Sequence, residues 1–320
     1  MNYEPVTQAI IDLDAFRHNV EVVRKKHPNS KIIIPVKANA YGHDSVIISK
    51  ACQKMGIDYL AIARLKEGLR LRENGITLPI ISLGVESGIN IEFSLLKDIE
   101  LSVSYLSNLL EIEEYAKKNN IIAKIHVKID TGMTRLGCKS GDIIEIVKNI
   151  QASKNLKFVS LYTHLARSEE SKQFTEKQID LFLKVKDALK YENITPQFYH
   201  MYNSGAILDS YGDFKEFAVR PGIMVYGYSP YANNDDSLKP VMTLKSKVIA
   251  LKNVNENIGV SYNHRFITTK PTILATIPVG YGDGIRRDLT NKLFVTINGK
   301  HYPQRGTITM DLMVIEVDES

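Results

Sequence analysis

The feature that most narrows the fold is an alternation running through the first two-thirds of the chain. Apolar, β-rich runs stand at 31–37, 58–64, 78–84, 99–105, 122–130, 156–164, 197–204 and 217–225. Several are apolar almost without interruption, the pattern of strands buried on both faces. Between most of them lie charge-bearing stretches of helical period, such as 107–119, 141–153 and 176–190. In the last of these Ile179, Phe182, Leu183 and Val185 gather on one side, as an amphipathic helix on a sheet requires. The stretch 205–216 leaves room for only a few helical turns. Strands alternating with helices build a parallel sheet, and eight is the strand count of a closed barrel. An open doubly wound sheet is the alternative, but the Gly-rich dinucleotide turn is missing after the first strand.

Beyond about residue 235 the texture changes. SKVIALKNV, GVSYNH, TILATIPVG, KLFVTINGK and TITMDLMVIEV read as short strands punctuated by Gly, Asn, Asp and Pro, with no helical pattern between them. The fold class predicted is therefore α/β: an eight-stranded parallel (β/α)8 TIM-type barrel over 1–235, then a smaller all-β domain over 236–320, joined through 229–240.

Composition removes several function classes. A chain 44% hydrophobic and 24% charged can bury a large core and is not disordered. The net charge of +5 is mild for this length, favouring small anionic ligands without arguing for nucleic acid. Two cysteines, Cys52 and Cys138, exclude a disulfide scaffold and a cysteine-based zinc site. His43, His126, His164 and His200 lack metal-ligand spacing, so no metal is expected. The acidic N-terminus is not a signal peptide, and no stretch nears the roughly 18 apolar residues of a membrane span. The expected location is the cytoplasm.

A barrel places its chemistry at the C-terminal ends of its strands. Lys37, Arg64, Lys128, Asp130, Arg135, His164, Asn203, Ser204 and Arg220 collect there. Lys37 closes an apolar run. Desolvation lowers a lysine's pKa, and a neutral amine is what Schiff-base chemistry needs. Taken alone, Lys37 reads first as a lysine snorkelling to the barrel rim.

The residues around it decide between these readings. Pro35-Val36-Lys37-Ala38-Asn39-Ala40-Tyr41-Gly42 resembles the cofactor-lysine segment of alanine racemases. Lys128-Ile129-Asp130-Thr131-Gly132-Met133 with Arg135-Leu136-Gly137, then Arg220-Pro221-Gly222-Ile223, resemble the family's barrel motifs. Gly259-Val260-Ser261-Tyr262, Val279-Gly280-Tyr281-Gly282-Asp283-Gly284 and Thr309-Met310-Asp311 resemble those of its C-terminal domain. All stand in family order. There are departures: Asp44 stands where a glycine usually follows Tyr-Gly-His, and the family's chains run on for several strands beyond Ser320.

The resemblance implies a pyridoxal 5'-phosphate (PLP) enzyme interconverting L-alanine and D-alanine, and so supplying D-alanine for peptidoglycan. It implies that Lys37 carries the cofactor and acts as one base, and that Tyr262 is the base on the opposite face. Tyr41, His164, Asn203, Ser204, Arg220, Gly222 and Ile223 would bind the cofactor. Arg220 would face the ring nitrogen; Tyr41, Ser204, Gly222 and Ile223 would cradle the phosphate. Arg135, Met310 and Tyr281 would bind substrate. Lys128 would be carbamylated, an anion orienting Arg135; pairing with Asp130 or solvent is the alternative reading. The family also implies a head-to-tail homodimer with shared active sites. Cofactor motifs alone do not separate an alanine racemase from a broader amino-acid racemase acting on serine or lysine. A shortened, PLP-binding chain with little activity is a third reading.

Overall fold

The structure, a computed structural model, describes residues 5–209, 211, 217–231 and 237–318. It divides into two compact units, one of residues 12–241 and one of residues 1–11 with 242–320. The predicted boundary at 235–236 and the middle of the predicted linker lie outside the described residues, as does the end of the stretch 205–216.

The first strand, β1 (Gln8–Ile11), is not a barrel strand. It pairs antiparallel with β10 (Met242–Lys245), Gln8 opposite Lys245. Thr7 adds hydrogen bonds to the Ser246 hydroxyl and the Pro278 carbonyl. Residues 5–11 thus go with the second unit, whereas the sequence reading places them in the barrel domain 1–235.

The larger unit is the eight-stranded parallel barrel. Its strands are β2 (Ile33–Pro35), β3 (Tyr59–Ile62), β4 (Ile80–Ser82), β5 (Ile99–Val103), β6 (Ala123–Lys128), β7 (Leu156–Tyr162), β8 (Phe198–Tyr202) and β9 (Phe217–Val219). They pair in sequence order, each inside one of the eight predicted runs. The ring closes through a parallel bridge between Ile32 and Val219, with the Val219 N–H on the Lys31 carbonyl at 2.9 Å. Every residue of β2, β4, β5, β8 and β9 is buried, which is why these runs are mostly apolar, with Glu100 and Ser102 in β5 and His200 in β8 among the buried polar exceptions.

The helices cover the outside. Ile143–Ala152 buries Ile143, Ile146, Val147 and Ile150, and Lys172–Tyr191 buries Ile179, Phe182, Val185 and Leu189. Local chemistry starts several of them. Asp12 caps Leu13–Lys26 by accepting from the Asp14 and Ala15 N–H groups, and Ser171 caps Lys172–Tyr191. Such caps are each worth about 1 kcal/mol. Asp44, the departure noted above, stands at φ 64° and caps Ser45–Lys54 through the Val46 and Ile47 N–H groups. Glycine would take that φ freely; aspartate tolerates it and gives a cap in return.

In the second unit β11 (Ala250–Val254), β12 (Thr272–Ile277), β15 (Met313–Val317), β14 (Lys300–Arg305) and β13 (Phe294–Ile297) form one antiparallel sheet in that order. Its core is Ala275, Ile277, Val279, Tyr302, Ile308, Met313 and Ile315. GVSYNH is not the strand expected. Ser261, Asn263 and His264 have φ of 61°, 59° and 43°, and the segment turns tightly as Tyr262–His264.

Candidate active site

Two adjoining cavities open at the C-terminal ends of the barrel strands, of about 280 and 210 Å³. Lys37, Leu83, His164 and Arg220 line both. Lys128, Arg135 and Tyr162 line the first, and Tyr41, Asn203, Ser204, Gly222 and Ile223 the second. All the barrel residues singled out from the sequence for cofactor or carboxylate are thus brought together. Arg64 is not: it lies on a separate groove with Glu86, Asn90 and Phe93.

Lys37 does not end the strand but starts a tight turn two residues beyond it. Ala38, Asn39, Ala40 and Tyr41 all stand near φ +50°, at 51°, 54°, 55° and 54°: one turn of left-handed helix. Alanine costs about 1–2 kcal/mol in that region. Surrounding bonds hold the turn. The Glu67 carboxylate accepts from the Ala38 N–H at 2.7 Å and from the Ala63 N–H at 2.8 Å. Asn39 Oδ1 accepts from the Ser45 N–H and from Arg70. His43 Nδ1 donates to the Ala40 and Tyr41 carbonyls. The Tyr41 ring stacks at 4.9 Å on Tyr226, whose hydroxyl is anchored on the Pro35 carbonyl. The turn thus fixes the spacing between the Lys37 amine and the Tyr41 hydroxyl.

The electrostatics of the first cavity follow from burial among cations. Burial first, and the Arg135 guanidinium second, push the Lys37 amine below the ordinary lysine range. Burial, then Arg220 and Arg135, bring Lys128 down to about 8. Lys128 ends β6, 5% exposed, with Nζ 5.8 Å from the Tyr162 ring centre. Among the described residues no carboxylate pairs with it. Asp130, the partner named in the alternative reading, has one carboxylate oxygen engaged by the Gly132, Met133 and Thr134 N–H groups at 2.9–3.1 Å. That carboxylate organises the loop carrying Arg135. The loop returns at Gly137, φ 124°, where a Cβ would lie 2.6 Å from the Asp130 nitrogen; only glycine permits so close a return.

Among the described residues Arg220, 4% exposed, has only neutral partners: the Thr163 carbonyl at 2.6 Å, His164 Nδ1 at 3.2 Å, the Met201 carbonyl at 3.3 Å, and His200 Nδ1. Burial lowers it to about 10, leaving it charged at neutral pH. Burial, then Arg220, hold His164 and His200 well below the ordinary histidine range. Both are therefore neutral acceptors toward the guanidinium.

The second cavity is a cradle. Ser204 Oγ accepts from the Gly222 N–H at 2.9 Å and the Met224 N–H at 3.3 Å. A Cβ on Gly222 would stand 3.3 Å from the Tyr41 hydroxyl and 3.6 Å from Ser204 Oγ. Ile223 opens the 3-10 turn Ile223–Tyr226, so its N–H has no partner within that turn. Asn203 lines the cavity, but its amide donates to the Leu165 carbonyl and its oxygen accepts from Ser168 and the Ala206 N–H. It positions the turn that carries Ser204.

In the second unit the three residues singled out stand on loops that are hydrogen-bonded to one another. The Thr307 hydroxyl donates to the Tyr262 carbonyl, and Ser261 Oγ to the Thr307 carbonyl. The Tyr281 N–H donates to the Thr309 carbonyl and the Gly282 N–H to that of Met310. Gly280 is required there, since a Cβ would meet the Met310 oxygen at 2.2 Å. Tyr262 is 66% and Met310 55% exposed.

Sequence reasoning missed Tyr162, Gly84 and Glu67. Gly84 lines the first cavity, where a Cβ would meet the Ala63 oxygen at 2.4 Å. Tyr162 had a signal: it is the last residue of an apolar run, two before His164.

Residues 11–230 match the family profile described as "Alanine racemase, N-terminal domain", and 241–320 that of "Alanine racemase, C-terminal domain". An alanine racemase of Treponema denticola is 39% identical over 98% of this chain and 84% of its own. One from Halothermothrix orenii is 37% identical, with 98% and 83% covered. The solved alanine racemase of Clostridium difficile superposes with TM-score 0.93 at 35% identity, over all of this chain and 84% of that one.

Proposed function

This chain belongs to the alanine racemase family, and from that premise we propose that its barrel binds pyridoxal 5'-phosphate through Lys37 and turns over alanine by two bases. The activity is the interconversion of L-alanine and D-alanine; the relatives give no support to a broader serine or lysine racemase. We place its product in peptidoglycan supply and the protein in the cytoplasm.

The residues present fit the cofactor. Lys37 offers an amine whose ammonium form is disfavoured. Gly222 leaves open a space between the Tyr41 and Ser204 hydroxyls that a side chain would narrow, and the Ile223 N–H adds a donor. The observation that carries the reading is this meeting of a lysine whose pKa burial lowers, a glycine-floored cradle and a buried arginine within one barrel mouth.

When bound, the cofactor acts as an electron sink that makes the substrate Cα proton acidic. The chain's residues do the rest. One base would only exchange the proton; bases on opposite faces invert the centre. The Lys37 amine serves the D-isomer and the Tyr262 hydroxyl the L-isomer. The guanidinium of Arg220 cannot take a proton, so facing the cofactor's ring nitrogen it would keep that nitrogen unprotonated and limit side reactions. Arg135 binds the substrate carboxylate with Met310 and Tyr281. Lys128 has no carboxylate partner among the described residues and a pKa of about 8; both support its carbamylation, which would give Arg135 an anionic partner. The exposed Tyr262 and Met310 support a head-to-tail homodimer in which each chain completes its partner's site.

The test is Lys37→Ala. It should lose borohydride-trapped cofactor and racemisation together, because one amine does both. A variant that still traps PLP covalently moves the cofactor to another lysine.

A further inference from the structure

Four buried polar side chains stand in the middle of otherwise apolar barrel strands and touch neither cavity. They are Glu100 on β5, His126 on β6, Ser160 on β7 and His200 on β8, each 3% exposed or less. They form one unbroken chain: Glu100 Oε2 to His126 Nε2 at 2.8 Å, His126 Nδ1 to Ser160 Oγ at 2.7 Å, Ser160 Oγ to His200 Nε2 at 2.9 Å, then His200 Nδ1 to Arg220.

The direction of every bond is determined. A guanidinium only donates, so His200 Nδ1 must accept. A neutral His200 then carries its proton on Nε2 and donates to Ser160. The single Ser160 proton is left for His126 Nδ1, and His126, protonated on Nε2, donates to Glu100. A carboxylate only accepts, so the chain ends where it must. Lys124 Nζ lies 3.5 Å from the other Glu100 oxygen. His200 is clamped against Tyr162, rings parallel at 4.5 Å, and the Tyr162 hydroxyl is tied to Ser102.

We propose that Glu100 is a positioning residue for the cofactor site: acting through His126 and Ser160, it locks the His200 tautomer that accepts from Arg220, and so aims the Arg220 guanidinium. Reversing any link would set an N–H of His200 against an N–H of Arg220. A glutamine at 100 can donate as well as accept, so Glu100→Gln removes the enforced direction while keeping size and shape. Glu100→Asp keeps an acceptor-only group.

The experiment reads the eight histidines of the 15N-labelled PLP-loaded protein by imidazole NMR, with His200 assigned through His200→Gln. Wild type should show His200 protonated on Nε2 alone, Glu100→Asp the same, and Glu100→Gln a mixture, in which the Nδ1-protonated fraction is the one that has let go of Arg220. In Glu100→Gln, kcat should fall roughly 2- to 30-fold, the range for mutations acting through a coupled network, with KM little changed and Glu100→Asp restoring most of it. Ser160→Ala, which loses only a hydroxyl, decides the matter should Glu100→Gln not fold; it too should mix the His200 tautomers. His200 unmoved in every folded variant overturns the proposal. The activity arm rests on Arg220 facing the ring nitrogen. A tautomer shift without change in kcat therefore leaves the relay standing and overturns that placement of Arg220.

Discussion

The turn after Lys37 predicts a reversal of a familiar rule. In a right-handed helix, replacing an exposed alanine by glycine costs about 1 kcal/mol. Ala38 is exposed and stands at φ 51°. Glycine there relieves about 1–2 kcal/mol of left-handed strain. It gives back about 0.4–1 kcal/mol through the freer unfolded chain. Ala38→Gly should therefore stabilise by roughly 0–1.6 kcal/mol, by the difference of those two ranges. The bond from its N–H to Glu67 is a backbone bond and survives. Ala188, exposed in the right-handed helix Lys172–Tyr191, is the control, and Ala188→Gly should lose about 1 kcal/mol. Ala40→Gly relieves the same strain but gives up a fully buried methyl worth about 0.8 kcal/mol, and should fall below Ala38→Gly. Urea unfolding at unchanged m measures all three. The more stable Ala38→Gly protein should also bind PLP more weakly, because glycine loosens the link between Lys37 and the Tyr41 hydroxyl. A loss in Ala38→Gly equal to that in Ala188→Gly would refute the left-handed assignment.

Tyr262→Phe should keep PLP but lose at least about 100-fold in racemisation, the scale of a missing general base. Mixed with Lys37→Ala chains it should regain activity if sites are shared between subunits; no recovery would argue against sharing. Lys128 makes a prediction about pH. Its folded pKa of about 8 lies below the ordinary value of about 10.4, so between the two the unfolded chain binds more protons and stability rises with pH. The destabilisation is full below about pH 8 and gone above the unfolded value. In bicarbonate-free buffer Lys128→Met should be more stable than wild type at pH 7, with the gap closing towards pH 10. A constant gap would mean that Lys128 is not desolvated.

The barrel was legible because its strands are buried on both faces, which leaves long apolar runs at regular spacing. The site was legible where strands end in charge, as at Lys128, His164 and Arg220. Three features were hidden for physical reasons. Gln8–Ile11 is short, largely exposed and paired with a distant strand, so it carries no period. Ala38-Asn39-Ala40 contains no glycine to announce a positive φ, and its handedness is imposed by Glu67, Ser45 and Arg70 from outside the turn. The relay residues were visible singly, as Glu, His, Ser and His inside apolar runs, but their alignment depends on barrel register. His126 lies opposite both Ser102 and Ser160. A polar residue recurring at mid-strand in four successive barrel strands is the sign that would have found them.

The pairing of β1 with β10 also sets a clock. Thr7 and Ser246 are 239 residues apart in sequence. At a synthesis rate of about 5–20 residues per second, the first strand waits roughly 10–50 s for its partner to be made. Throughout that interval the ribosome exposes a short strand with both edges open, while successive barrel strands emerge in the order in which they pair and only the closing bridge of Ile32 to Val219 spans the whole barrel. The barrel can thus close during translation, and the smaller unit is the part whose assembly must wait for the chain's last quarter. Agents that slow elongation late in the message should lengthen the life of that open edge without disturbing the barrel.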